Sequence, residues 1–423
     1  MPKFYNSFEE CLGIGGDSKK VCLQIGAPGA HSMRNVAKMM KEATIKHFDE
    51  SNPRNEEILQ YGCCSGNYEL KQELAKYLSE SYRNPVKSED IFVHNGASQG
   101  LSNLLYYYFQ RGETLFVEDP SYWNLICDLK NKNTMFSTKT IGIGMDVNGL
   151  NLDELENHLK DMKGPEPNDR YPYRAALYLI PVYQNPTGYV YSDERCKEII
   201  KLARKYDLMV ISDDVYNLLT YSSPDCDDPI LAKPPTRLFW HDNKDDEDYK
   251  ESVVTLSSFS KFLAPGLRVG WFEMPRRMFR IFETYFLSDS GSGWNEYTSG
   301  ILASAFKLGL IQDHVKKTRV HYRKLIHELN KLITDRLSAF GVTCNYPTGG
   351  EFLWIALPRH LSADVLLEKC KEEITFIPGS RCSISQSHLN YLRVCYAFYD
   401  DDVLIPAVGK LCDYIKKYIK ESE

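Results

Sequence analysis

The segment Ser257–Gly270, SSFSKFLAPGLRVG, concentrates reactive and anion-binding side chains. Ser258, Ser260 and Lys261 fall within four positions, and Arg268 follows seven residues after the lysine. Two hydroxyls and an arginine fork suit a phosphate, which the guanidinium can grip bidentately, while a lysine amine can form an imine with an aldehyde carbon. A phosphate grip beside an imine-forming amine is the chemistry of a phosphorylated carbonyl cofactor. For the SxxSK string alone, a polar loop with a surface lysine is the simpler account. Pro265, Gly266 and Gly270 impose a shaped backbone after it and bring the two readings level.

Other segments offer complementary groups. Ile180–Gly188, IPVYQNPTG, reads first as a turn, and its Asn185 amide can reach a ring oxygen. Val210–Tyr216, VISDDVY, puts two aspartates just past an apolar run. Burying a carboxylate without a partner is costly, and a protonated pyridine nitrogen would be such a partner, keeping the ring an electron sink. The competing role, a helix N-cap, is open to either aspartate. His94–Gly100, HNGASQG, leads into an apolar helix, Leu101–Phe109, and its small residues expose backbone N–H groups to an anion. Glu118–Tyr122, EDPSY, supplies an aromatic for stacking, in a chain of 28 tyrosines where packing is the commoner use. Gly13–Gly16, GIGG, lacks both a preceding strand and the full GxGxxG of a dinucleotide loop.

These residues need a scaffold. Short apolar runs at Ile91–His94, Thr114–Glu118, Ala175–Ile180, Leu208–Ser212 and Val253–Leu256 alternate with helical patterns such as Ser192–Tyr206, which opens on a serine cap with an early glutamate. That alternation predicts βα units around a mostly parallel sheet, an α/β fold. A long helix, Asp313–Arg336, leads out of it, and the segment from about Gly341 onward mixes strands and helices as a smaller unit. Ligands of open parallel sheets sit beyond the carboxyl ends of the strands. Ser98, Tyr122, Asn185, Asp213 and Lys261 all follow such runs and converge on one crevice.

Composition narrows the class. With 423 residues the chain is too long for one simple core. A net charge of -6 points away from a nucleic-acid partner, and no apolar run approaches a membrane span. The N-terminus, MPKFYNSFEECLG, lacks the apolar core of a secretory signal. Twelve scattered cysteines read as reduced thiols of a cytoplasmic protein, and the ten histidines show no metal-ligand spacing, so no metal is expected. The acidic stretch His241–Tyr249, HDNKDDEDY, reads as a solvated surface loop.

Taken together, LQYGCCSGNYELKQELAKYL from Leu59, NGASQGL, EDPSY, QNPTG, SDDVY, SSFSKFLAPGLRVGW and LRVCYAF from Leu392 resemble the class I/II pyridoxal-phosphate aminotransferases of fold type I. The subgroup they look most like contains the 2-aminoadipate/kynurenine-type and valine–pyruvate-type enzymes. QNPTG and SFSK…GLRVG, in this order and some seventy residues apart, carry most of the specificity. The resemblance implies a mostly parallel seven-stranded sheet in a large domain at 46–296, with a smaller α+β domain built from 1–45 and 297–423. It implies pyridoxal 5'-phosphate as cofactor and transamination between an amino acid and a 2-oxo acid.

Position by position, Lys261 matches the Schiff-base lysine, Asp213 the partner of the pyridinium, and Asn185 and Tyr216 the groups bonded to the ring 3-oxygen. Tyr122 matches the stacking aromatic, and with Lys261 and Asp213 makes up the implied catalytic set. Ala97, Ser98, Ser258, Ser260 and Arg268 match the phosphate cup; where the family often has Ser or Gly, Ala97 offers only its N–H. Tyr61 matches a tyrosine that reaches the neighbouring subunit's phosphate, which implies a homodimer. Arg393 matches the clamp for the substrate α-carboxylate, beside Asn185 and the pocket-lining Gly26. The segment QIGAPGAHS departs from the usual Gly-x-Pro-Asp/Asn, and the acidic insertion has no counterpart, so substrate identity stays open. Rival readings with the same cofactor cage are a C–S lyase or decarboxylase and, from another class, a non-catalytic amino-acid sensor.

Overall fold

A computed structural model describes residues 20–108, 113–130, 139–162, 166–169, 171–284, 290 and 293–422. Gly13–Gly16, the N-terminal MPKFYNSFEECLG and Phe109 lie outside the described residues. The chain folds around one large sheet. Its strands, taken with six strands of the chain ends, are β1 (Val21–Cys22), β2 (Ile91–His94), β3 (Thr114–Asp119), β4 (Lys139–Asp146), β5 (Gly149–Leu150), β6 (Ala175–Leu179), β7 (Leu208–Asp213), β8 (Val253–Ser258), β9 (Gly270–Glu273), β10 (Thr343–Cys344), β11 (Phe352–Ala356), β12 (Ile374–Thr375), β13 (Ile377–Pro378) and β14 (Tyr391–Cys395).

The large sheet has the order β2-β9-β8-β7-β6-β3-β4-β5. Strands β8, β7, β6, β3 and β4 pair in parallel, whereas β9 runs antiparallel between β8 and β2. The seven expected strands are thus present, and the two-residue β5 extends the edge as a hairpin on β4. All five expected runs are strands. Two others carry weaker signals: in β4 Gly142 and Gly144 interrupt the apolar pattern, and β9 is only four residues long.

Strands β6, β7 and β8 are buried along their whole length, which is why they read as near-continuous apolar runs. The pleat sends alternate residues to two cores. Ala176, Tyr178, Met209 and Ile211 join the larger cluster, and Ala175, Leu177, Leu179, Leu208 and Val210 join a second one. The helix Asp193–Tyr206 covers that second face with Cys196, Ile199, Ile200 and Ala203. It starts where the Ser192 hydroxyl accepts from the Arg195 N–H at 3.1 Å. The long helix spans Leu310–Leu337, slightly more than expected.

The chain ends form a second set of strands. Antiparallel strands in the order β10-β11-β14-β13 make a four-stranded sheet, and β1 pairs in parallel with β12. The first described residues are thereby stitched to the C-terminal part of the chain. The acidic stretch corrects the solvated-loop expectation in part. Its tip is exposed, but Asp242, Asp246 and Asp248 all turn back onto the buried guanidinium of Arg204, at 2.7, 2.8 and 2.6 Å.

Candidate active site

The carboxyl ends of β6, β7 and β8 and the start of the helix Ala97–Tyr108 open onto one cavity of about 370 Å³. Lys261, Asp213, Asn185 and Tyr216 line it, as do Tyr122 and the five expected phosphate-cup residues, Ala97, Ser98, Ser258, Ser260 and Arg268. Ten residues separated by up to 171 positions in sequence (268 − 97) are therefore neighbours in space.

The cup is assembled by the turn after β8. Ser258 Oγ donates to Ser260 Oγ at 2.9 Å, and the Ser260 N–H donates back to Ser258 Oγ at 3.1 Å. Arg268, in a left-handed conformation with φ 48°, is braced by Pro265 O at 2.9 Å and Asn95 O at 3.2 Å. Its guanidinium lies so close to the helix start that a Cβ on Gly96 would meet Arg268 Nη2 at 2.5 Å. Gly96 also has φ +93°, and it is this backbone conformation that favours glycine here. Free N–H groups at the helix start, two hydroxyls and an exposed guanidinium converge as an anion site.

Asp213 closes β7 and is 8% exposed. Tyr178, on the neighbouring β6, donates its hydroxyl to Asp213 Oδ2 at 2.5 Å. Burial raises the Asp213 carboxyl to about 6, against the opposing pull of the Tyr178 bond and the Lys261 charge. Among the described residues the other oxygen, Oδ1, is buried without a hydrogen-bond partner. Asp214 turns to the Ser212 hydroxyl, and burial raises it to about 7. No helix follows the pair, so neither aspartate acts as an N-cap.

Lys261 Nζ donates to Gly26 O at 2.7 Å and stands 5.9 Å from the centre of the Tyr216 ring. Asn185 Nδ2 reaches the Tyr216 hydroxyl at 3.5 Å, while its Oδ1 accepts from Arg393 Nη1 at 2.9 Å. Arg393 on β14 is 1% exposed. Its fork also donates to Gln24 O at 2.5 Å, its guanidinium lies over the Phe352 ring at 4.1 Å, and its Nε has no partner among the described residues. Gly26 and Arg393 thus flank the cavity through Lys261 and Asn185. Tyr61 is not brought into the crevice of its own chain and stands 76% exposed.

Two supporting carboxylates lay outside the sequence reading. Glu118, read only as part of EDPSY, is wholly buried and accepts from the Ile180 N–H, Gln184 Nε2 and Tyr191 Oη at 3.0, 2.8 and 2.6 Å. It pins the QNPTG turn to β3, so that segment is a fastened loop that aims Asn185. Burial raises the Glu118 carboxyl to about 8 in spite of these donors. The second is Glu351, buried just before β11.

The sequence model of the family described as "Aminotransferase class I and II" matches residues 18–411. The chain belongs to that family. It is 26% identical over 396 residues to "Aromatic-amino-acid aminotransferase 1" of Thermococcus litoralis, covering 93% of this chain and 87% of the relative. It is 28% identical over 360 residues to the "2-aminoadipate transaminase" of Thermus thermophilus, covering 85% and 82%. The crystal structure of Pyrococcus horikoshii kynurenine aminotransferase superposes with a TM-score of 0.76 at 24% identity, over 98% of this chain and 95% of that one, a likeness of fold. The protein is an aminotransferase that moves an amino group from an amino acid to a 2-oxo acid, with pyridoxal 5'-phosphate as cofactor. The crevice fits that cofactor: Asp213, whose Oδ1 has no hydrogen-bond partner among the described residues, lines a cavity that also holds an anion cup and a primary amine. Among the described residues no cluster of His, Cys, Asp and Glu could hold a metal, and no helix is long and apolar enough to cross a membrane.

Proposed function

We propose that Lys261 is the residue that holds the cofactor covalently and then serves as the base of the amino transfer. The observation that carries this reading is that Lys261 and Asp213, whose Oδ1 has no hydrogen-bond partner among the described residues, line the same cavity as the serine–arginine cup. When bound, pyridoxal phosphate supplies an aldehyde for the amino group and a ring that takes up electrons from the substrate Cα.

The protein's own residues do the rest. Ser258, Ser260, Arg268 and the N–H groups of Ala97 and Ser98 hold the phosphate. Asp213 keeps a proton on the ring nitrogen by charge pairing. Asn185 and Tyr216 would donate to the ring oxygen, and Tyr122 would supply an aromatic partner for the ring. Arg393, with Asn185 beside it, receives the substrate α-carboxylate. Lys261 Nζ would take the proton from the substrate Cα and return it, a positioned acid and base. Gly26 O, its present acceptor, keeps the amine close to that position.

We further propose a cytoplasmic homodimer. The exposure of Tyr61 at 76%, with Leu59 at 67% and Tyr68 at 62% on the same stretch of chain, supports an apolar surface that a second copy covers, with Tyr61 reaching its phosphate cup. The described cysteines, all free thiols, suit a reducing compartment. The division into 46–296 and 1–45 with 297–423 is supported by the β1–β12 pairing and by the Cys395 N–H bond to Leu23 O at 2.8 Å.

Lys261→Ala tests the central assignment. The purified variant should bind the cofactor without the visible absorbance band of the lysine-linked form and should transfer no amino group. A variant that keeps both the band and turnover refutes the role of Lys261.

A further inference from the structure

Next to the QNPTG turn lies a second cavity, of about 380 Å³, which shares no lining residue with the cofactor crevice. Its walls are aromatic: Tyr189 directly after the turn, Tyr346 and Pro347 after β10, Trp354 on β11 and Tyr391 on β14. Trp354 and Tyr391 form a stack, with ring centres 5.1 Å apart and planes 18° from parallel. His388 packs edge-on against Tyr391 at 5.4 Å. Asn345 ties the lining together. Its Nδ2 donates to Thr187 O at 2.7 Å, and its Oδ1 accepts from the Trp354 N–H at 2.7 Å.

The chemistry of this lining is selective. No side chain in it carries a charge at neutral pH, so an ion would be desolvated there without a counter-charge. The hydroxyls of Tyr189 and Tyr391 have no hydrogen bond among the described residues. Burial, and after it the neighbouring Tyr391 phenol, pushes the Tyr189 hydroxyl up, so it stays a donor at neutral pH. A concave site walled by aromatic rings, with a few free polar groups to fix orientation, is the usual form of a small-molecule pocket, and the volume falls in the usual range. A flat ring can continue the Trp354–Tyr391 stack in offset geometry. An acceptor on that ring can take the hydrogen bonds that the two phenols do not make within the protein.

We propose that this pocket is a second binding site, separate from the cofactor crevice, for an uncharged planar aromatic ligand that bears a hydrogen-bond acceptor. The ring lies against the Trp354–Tyr391 stack and the acceptor meets the Tyr189 and Tyr391 hydroxyls. The site stands independently of the role given to Lys261.

Quinoline, a flat bicycle with one acceptor nitrogen and no charge at pH 8, is the probe, titrated into the holoenzyme by ligand-observed NMR. Its Kd should be on the order of 1 mM or lower, as befits so small a ligand. N-methylquinolinium keeps the ring but carries a charge and has lost the acceptor, and it should bind at least about tenfold more weakly. Tyr346→Ala removes an exposed aromatic wall and should raise the quinoline Kd by about tenfold. Tyr391→Phe keeps the stack, removes one hydroxyl, and should raise it by about three- to tenfold. Absence of quinoline binding up to about 10 mM overturns the inference, since that lies about tenfold above the expected Kd. A Kd that neither variant changes also overturns it, because the ligand then sits elsewhere. Tighter binding of N-methylquinolinium than of quinoline overturns it too, since the pocket would then be a cage for cations.

Discussion

Tyr178→Phe isolates one hydroxyl whose only described bond is to the carboxylate that is to pair with the cofactor ring. The phenol donates to Asp213 Oδ2 at 2.5 Å, and burial holds the Tyr178 proton on well above the ordinary tyrosine range, so it is a donor at every working pH. A hydrogen bond to a charged group is worth about 1.5–3 kcal/mol, or about one to two pKa units. Asp213 already stands at about 6 because burial penalises its charge. Removing the donor moves it to about 7–8. Catalysis requires the carboxylate, so the acid limb of the kcat/KM profile should shift upward by about one to two units in the holoenzyme. For values of about 6 and about 7–8 the loss at pH 7 is about two- to tenfold, and it disappears on the alkaline side.

Stability runs the other way. The folded Asp213 value lies above the unfolded 3.8, so the contribution of this group is fully present below pH 3.8 and is lost as pH rises through about 6. In the variant the loss continues to about pH 8, which makes it less stable than wild type by about 1.5–3 kcal/mol at alkaline pH and equal to it in acid. Activity that recovers with pH while apoenzyme stability declines is a combination that simple misfolding cannot produce. An acid limb at the same pH in both proteins, or a uniform fall across the profile, refutes the reasoning.

Two other substitutions probe different parts of the molecule. Tyr61→Phe should raise the cofactor Kd by about tenfold in the assembled enzyme, the worth of one hydrogen bond to a phosphate; equilibrium dialysis showing an unchanged Kd would remove Tyr61 from the partner's cup. Arg204→Ala leaves Asp242 buried without its cation and should cost about 3–5 kcal/mol in urea unfolding, with turnover of the folded enzyme unaffected, whereas a cost below about 1 kcal/mol would mean that the acidic stretch is solvated after all.

The residues legible in the sequence are those that end strands. Asn185, Asp213 and Lys261 stand out because a buried apolar run stops and an expensive polar group follows at once, a local contrast that needs no knowledge of the partner. The groups that hold them in place give no such contrast. Tyr178 sits inside AALYL as one more residue of a buried strand, and only the parallel pairing of β6 with β7 reveals that its hydroxyl meets Asp213, thirty-five positions away. Glu118 looks like the flank of a turn until Gln184 and Tyr191 arrive from sixty-six and seventy-three residues downstream.

Glu351 is the limiting case. The cations that act on it are Lys261 and Arg393, which the fold brings to it from ninety positions before and forty-two after. The acidic stretch shows the same dependence in reverse: its composition calls for solvent, yet one buried arginine on a preceding helix gathers three of its carboxylates. Residues that would touch the cofactor are marked by local cost. Residues that tune those contacts are marked by long-range pairing.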